Sequence, residues 1–171
     1  MQVIVNTFPV DILTAHYRVY GEIRTRGNPT IFLNDQNVST LTIYDATLTP
    51  LRPGMKLGAV AADELHIPKT EPQVIILGNY KPEIMPLPKK ERLICFTDTY
   101  ILRGTFHMGS ETRIEDVFYA LPGPFFEATK LDIYSLYPLA VEVNAHAELA
   151  YIRGKAARAF YRQPESQGEP G

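Results

Sequence analysis

Hydrophobic residues recur at every second position over much of this chain. Val10 and Ile12 alternate with polar neighbours, as do the residues from Tyr17 to Ile23, then Leu41 and Ile43, then those from Tyr100 to Phe106. Successive side chains of a strand point to opposite faces, so this period predicts half-buried β-strands. Val74-Ile75-Ile76-Leu77 is instead an unbroken apolar run. It predicts a strand buried on both faces. Gly21 and Gly104 interrupt two of the alternating segments. Glycine inside a strand marks a sharp bend or a close approach of backbone.

Helical signals are few and short. Asn28-Pro29 supplies an N-cap and a first-turn proline for a short helix over Thr30 to Leu33. Thr112-Arg113-Ile114-Glu115 has the spacing of a capping box, and Ile114, Val117, Phe118 and Leu121 then share one helical face. Leu121-Pro122-Gly123-Pro124 ends that segment. Ile152, Ala156 and Phe160 are four apart, with Lys155, Arg158 and Arg162 on another face. This spacing predicts a C-terminal helix from Arg153 to Arg162.

The same series of signals occurs twice. Thr14 and the run from Tyr17 to Ile23 are matched by Thr97 and the run from Tyr100 to Phe106, a shift of 83 positions (14 to 97, 17 to 100). Ile43-Tyr44-Asp45-Ala46-Thr47 answers Phe125-Phe126-Glu127-Ala128-Thr129, and Val60 to Ile67 answers Val143 to Ile152. Ordered matches of this kind predict an internal duplication. The expected organisation is a first β module over 1–69 and a proline-rich connector with one strand over 70–90. A second module with the C-terminal helix follows over 91–163, then a flexible tail over 164–171.

Composition narrows the partners. The 171 residues carry a formal charge of −2, with no basic excess of the kind that marks nucleic-acid binding. The single cysteine, Cys95, excludes an internal disulfide and fits a reducing compartment. The N-terminus lacks the pattern of a signal peptide. No apolar run approaches the roughly 18 residues of a membrane span. A cytoplasmic location without membrane contact is the expectation.

Candidate chemistry is sparse. His66 and His146 occupy like places in the two halves, with Asp63 and Glu64 near the first. Neither has the further ligands a metal centre needs, so no metal and no cofactor is expected. His146-Ala147-Glu148 imitates the H-x-E of zinc deaminases, but the downstream cysteine pair is missing. Cys95 lies in an apolar strand, where a thiol is a small core residue rather than a nucleophile. Asn37-Val38-Ser39 fits a glycosylation sequon. Arg153, Lys155, Arg158 and Arg162 form the one local basic cluster, read as the solvated face of a helix. Tyr119, Phe125, Phe126, Tyr134 and Tyr137 are dense in the second half and read as packing residues rather than base-stacking platforms.

Each half thus reads as a strand, a glycine-bent strand, a short helix between strands two and three, a third strand with an acidic-Ala pair, and two more strands. This series resembles the Sm-like small barrels of the LSm and Hfq type over Val10 to Ile67 and Leu93 to Ile152. It is also similar to small bacterial β families. The resemblance implies a mainly β fold of two tandem Sm- or SH3-like small barrels. It departs from that family in the loops that would meet RNA. These carry Asn34, Asp35, Gln36 and Asn37 in one half and Glu115 and Asp116 in the other, with the acidic turn Asp63-Glu64. Acidic loops repel phosphate.

The expected function is therefore a non-enzymatic binding or assembly module, a scaffold or adaptor whose partner is protein and includes its own kind. The partner-binding loops would involve Asn34, Asp35, Asn37, Asp63, Asp116, Tyr119 and His146. An Sm-type RNA-binding regulator is the alternative. A small enzyme with a loop-built pocket is the remote one.

Overall fold

The computed structural model describes residues 4–79, 87–118 and 123–164. The chain is mainly β. In order it forms β1 (Val5–Leu13), β2 (Tyr17–Arg26), α1 (Pro29–Asn34), β3 (Thr40–Pro50), β4 (Val60–Pro68) and β5 (Val74–Leu77). It continues through β6 (Lys89–Phe96), β7 (Tyr100–Met108), β8 (Phe125–Ser135), β9 (His146–Arg153) and β10 (Ala159–Arg162). Single 3₁₀ turns cover Ile114–Asp116 and Gly154–Ala156.

All ten strands join one antiparallel sheet in the order β10-β6-β7-β8-β9-β5-β1-β2-β3-β4. This corrects the expectation of two closed barrels. Closing the first five strands on themselves would require β5 to pair back onto β4. The two edges of β5 are taken instead by β1 and by β9 of the other half. Among the described residues the sheet therefore runs on through the middle of the chain and ends at β4 and β10. The five strands on either side of the β5·β9 joint follow the same order.

β5 shows why its sequence is apolar throughout. Val74 and Ile76 point into one hydrophobic cluster, with Leu93, Leu102, Phe106, Phe126 and Ile152. Ile75 and Leu77 point into the other, with Ile12, Ile23, Leu41 and Ile43. A strand between two cores has no solvent face and so no polar positions. A proline-rich connector is expected to span surface, yet its strand lies at the centre of the sheet. The rest of that connector falls partly outside the described residues, as does the tail after residue 164.

The expected C-terminal helix is also corrected. Ile152 belongs to β9, Ala156 lies in a 3₁₀ turn and Phe160 belongs to β10, so the four-residue spacing spans three elements. A Cβ on Gly154 would come within 2.5 Å of Phe126, so the chain is tucked tightly there. It then pairs along β6, with Phe160 opposite Cys95. Edge pairing satisfies the backbone groups that a helix would otherwise satisfy internally.

The glycine-bent strands share one device. Tyr20 faces Thr47 and Glu22 faces Tyr44, so Gly21 lies across from two residues, Asp45 and Ala46. Gly104 lies likewise across from Lys130 and Leu131. These are β-bulges, and the first bulged residue is left-handed in both, with φ 49° at Asp45 and at Lys130. Asp45 therefore answers Lys130 and not Glu127, which corrects the expected match of Ile43–Thr47 with Phe125–Thr129. The helix signals divide. Asn28 caps α1 through its side-chain oxygen, which accepts from the Thr30 N–H at 2.8 Å, and Pro29 opens it. Among the described residues the Thr112–Glu115 box yields the 3₁₀ turn Ile114–Asp116, with Arg113 at the N-cap and no side-chain cap, and Leu121 lies outside them.

Candidate functional site

Among the described residues the sheet leaves two strands, β4 and β10, with a neighbour on one side alone. β4 exposes Val60, Ala61, Asp63, Glu64, His66 and Pro68, and only Ile67 is buried. The His66 ring is held by Thr42, with Oγ1 3.0 Å from Nδ1. β10 exposes Ala159, Tyr161 and Arg162. Its Phe160 is half-buried, edge-on to Phe118 with ring centroids 4.8 Å apart. Tyr161 stacks on Phe96 at 6.3 Å. A cleft of about 300 Å³ beside this edge is lined by Phe118, Gly154, Ala157, Arg158, Ala159 and Phe160. Unpaired strand edges present a row of N–H and C=O groups ready to accept another strand.

The two edges differ in charge. Asp63 and Glu64 sit on β4, and no ion pair holds either among the described residues. The basic residues expected on a helix lie on and beside β10 instead. Arg158 is bidentate to Asp98 at 3.0 Å on both oxygens, and this hydrogen bonding raises the arginine and lowers the carboxyl from their usual pKa values. Arg162 reaches Glu91 at 3.2 Å. Lys155 is exposed in the 3₁₀ turn before β10. Arg153 turns inward, donating from Nε to the Pro72 carbonyl at 2.8 Å, and its burial lowers its pKa.

The loop residues expected to bind a partner separate. Asn34 has an internal job. Its Nδ2 donates to the Thr30 carbonyl at 3.0 Å, and its Oδ1 accepts from the Phe125 N–H at 2.9 Å, across the joint between the halves. Asp35 Oδ1 accepts from the Asn37 N–H at 2.9 Å and from Asn37 Nδ2 at 3.2 Å, which closes a local turn. The Asp35 carbonyl takes Lys69 Nζ at 2.9 Å. Asp116 pairs with Arg113 at 2.9 Å. Tyr119 lies outside the described residues. Asp63 lies on the β4 edge itself.

His146 joins a network that the H-x-E spacing only half announces. Its Nδ1 lies 2.9 Å from Asp132 Oδ1 and its Nε2 2.9 Å from Glu148 Oε1. Arg103 donates to Asp132 at 2.9 Å and to the Tyr134 hydroxyl at 3.0 Å. The hydrogen bond to Asp132, then that to Glu148, holds the imidazole above its usual pKa. Hydrogen bonds from His146 and then Arg103 hold the Asp132 carboxyl below the usual range. Engagement of both ring nitrogens by carboxylates favours the charged form of the ring. Asp132 joins only because β8 and β9 pair with Asp132 opposite His146, a register the linear sequence does not display.

Other candidate chemistry closes. Cys95 is buried, and burial pushes its thiol up to about 12. Among the described residues no group of three or more His, Cys, Asp or Glu side chains is placed to hold a metal. No helix among them is long and apolar enough to cross a membrane. A hollow of about 690 Å³ lies among Tyr134, Leu139, Val141, Glu142 and Val143.

The joint between the halves is made by β5 and β9. β5 meets β9 with Val74 opposite Ile152, Ile75 opposite Tyr151 and Ile76 opposite Ala150. Phe125, Leu149 and Tyr151 of the second half are buried in the first half's cluster. Thr30 Oγ1 and the Tyr151 hydroxyl lie 2.8 Å apart. No family model, curated protein or solved structure matches this chain.

Proposed function

We propose that this protein is a non-enzymatic assembly module that binds protein by adding strands to the open edges of its sheet. The observation that carries this reading is the long, mostly exposed edge strand β4, nine residues whose outer backbone groups pair with no other strand among the described residues. Exposed edges of this length are usually covered, broken by a bulge or charged against chance pairing. Main-chain hydrogen bonds to such an edge give affinity, and alternate side chains give specificity. The like order of strands in the two halves supports reading them as copies of one unit, each offering one such edge. The formal charge of −2 and the acidic residues Asp35, Asp63 and Asp116 support protein over RNA as partner.

The test is purification of the chain from its native source, with half the sample treated with nuclease. The expected result is a protein complex that survives nuclease, with the β4 or β10 amides protected from hydrogen exchange relative to the free chain. A complex that dissolves on nuclease treatment would overturn the reading in favour of RNA binding. So would protection confined to the sheet faces, which would leave strand addition without support.

A further inference from the structure

We infer that the two open edges are complementary halves of one joint, and that the partner is a second copy of this chain, joined head to tail with β10 of one copy antiparallel to β4 of the next. This inference rests on the strand-addition reading and names its partner. Its template is the joint inside the chain. β5 lies beside β1 with Ile75 opposite Ile12, and β10 lies beside β6 with Phe160 opposite Cys95. The turns that follow β1 and β6 are built alike. The Thr14 hydroxyl accepts from the Tyr17 N–H at 2.9 Å, and the Thr97 hydroxyl accepts from the Tyr100 N–H at 2.8 Å. Val74–Leu77 therefore corresponds residue by residue to Ala159–Arg162.

The other side corresponds in the same way. Ala147 of β9 faces Leu131 directly after the bulge at Lys130, and Ala62 of β4 faces Ala46 directly after the bulge at Asp45. Leu65, His66 and Ile67 thus stand where Ala150, Tyr151 and Ile152 stand. Repeating the internal joint between copies places Ala159 opposite Ile67, Phe160 opposite His66 and Tyr161 opposite Leu65. One step further along, Arg162 falls opposite Glu64.

Charge favours this pairing over the alternatives. Head to tail, Arg162 meets Glu64, while Arg158, which falls opposite Pro68 in this register, stays paired with Asp98. Pairing β4 with β4 would bring the acidic residues together, and pairing β10 with β10 would bring the arginines together. Like charges across a strand pair are destabilising, and opposite ones stabilise. The Arg162 guanidinium has five donors and can serve both Glu91 and Glu64. The cleft bordered by Phe118 and Phe160 lies where His66 of the next copy would sit, as Tyr151 sits beside Thr30 inside the chain. The substitutions along the joint are telling. Tyr151 and Leu149 of the internal joint correspond to His66 and Glu64 of the open edge. The joint between copies is therefore more polar, reversible and salt-sensitive, while the joint within the chain is permanent. Each copy uses both edges, so the contact is heterologous and builds a ring or a filament rather than a two-fold dimer.

The test is sedimentation velocity on the full chain at low salt, with the exposed charge reversals Arg162→Glu and Glu64→Arg. The wild type is expected to associate beyond the 19.3 kDa monomer and to dissociate as salt is raised. Each variant alone is expected to weaken association about tenfold, equivalent to about 1.4 kcal/mol, with its circular dichroism and melting temperature near those of the wild type. An equimolar mixture of the two variants is expected to recover the wild-type association. The variants then alternate along the assembly. The introduced glutamate faces the introduced arginine at one joint, and the native Arg162 faces the native Glu64 at the next. The milder pair Arg162→Gln and Glu64→Gln replaces any reversal that fails to fold. A wild type monomeric at about 100 µM overturns the proposal and leaves strand addition to a different protein. Loss of association in only one variant overturns it in favour of like-edge pairing, and a mixture that stays dissociated removes the Arg162–Glu64 register.

Discussion

Gly21 and Gly104 occupy like places, yet the surroundings of the two are not equally tight, and this difference yields a quantitative test. A Cβ built on Gly21 falls 2.7 Å from the Tyr44 carbonyl oxygen, 2.7 Å from Ile43 Cγ2 and 3.2 Å from the Ala46 Cα. The carbonyl belongs to the bulged strand and cannot swing aside without breaking the ladder. At Gly104 the nearest atoms are Leu131 Cδ1 at 3.0 Å, the Leu131 Cα at 3.1 Å and the Thr129 carbonyl at 3.1 Å, so a shift of a few tenths of an ångström relieves most of the strain. Neither glycine has positive φ, so close approach rather than backbone handedness makes each one necessary. Overpacking of this kind costs about 1–3 kcal/mol, against a gain of about 0.4–1 kcal/mol from the stiffer unfolded chain on replacing glycine by alanine. Gly21→Ala should therefore destabilise by about 1–2 kcal/mol, and Gly104→Ala by less than about 1 kcal/mol. For a chain of this size the first corresponds to a fall of about 2–8 °C in Tm. Thermal melts and urea titrations of the two variants beside the wild type measure it. An unchanged or raised Tm for Gly21→Ala, or a larger loss at Gly104 than at Gly21, would refute the bulge geometry as the reason for both glycines.

Lys130 holds φ 49° in the second bulge; a left-handed residue with a side chain costs about 1–2 kcal/mol against about 0.5–1 kcal/mol for glycine's extra freedom. Lys130→Gly should accordingly raise the urea midpoint, and a fall would show that the lysine side chain contributes more than its backbone costs. His146 is held above its usual pKa by Asp132 and Glu148, so its contribution is fully present below the unfolded value of about 6.5. It is lost as pH rises through the folded value. The wild type should be more stable than His146→Asn at pH near 5.5, with the gap shrinking toward pH 8; a gap constant across that range would contradict the network. His107 has the opposite sign, because burial and then Lys90 lower its pKa. It destabilises the fold as pH drops below about 6.5, so the acid-side slope should flatten in His107→Gln. Single-stranded oligo-U at near-physiological salt should bind no tighter than micromolar, and nanomolar binding in a filter or anisotropy assay would promote the RNA reading.

Strand positions were legible because the period of two is a direct consequence of the pleat. The unbroken run Val74 to Leu77 announced a doubly buried strand for the same reason. Asn28-Pro29 announced α1 because those residues satisfy the first turn chemically. Closure was not legible. Whether a five-strand unit closes on itself depends on which strand takes the second edge of β5, and backbone hydrogen bonds to β9 leave no side-chain signature at either strand. The C-terminal segment misled because Ile152, Ala156 and Phe160 fall at helical spacing while serving β9, a turn and β10. Ile152 and Phe160 are apolar because they pack on one core with Phe118 and Phe126, and Ala156 is buried in the turn between them. The His146 network was half legible: Glu148 is two residues away, while Asp132 and Arg103 arrive through strand register. The basic residues were found, but their opposition to Asp63 and Glu64 across the two ends of the sheet needed the strand order.

The proposed assembly turns on β4 and β10 being edges that meet each other, and hydrogen exchange read residue by residue over a range of protein concentrations tests that most directly. The prediction is that outward-facing amides of β4 and β10 gain protection together, with one concentration midpoint shared by both, while those of β1, β5 and β9 stay protected throughout. Edge amides that exchange freely at every concentration, or protection that grows on one edge alone, would contradict it.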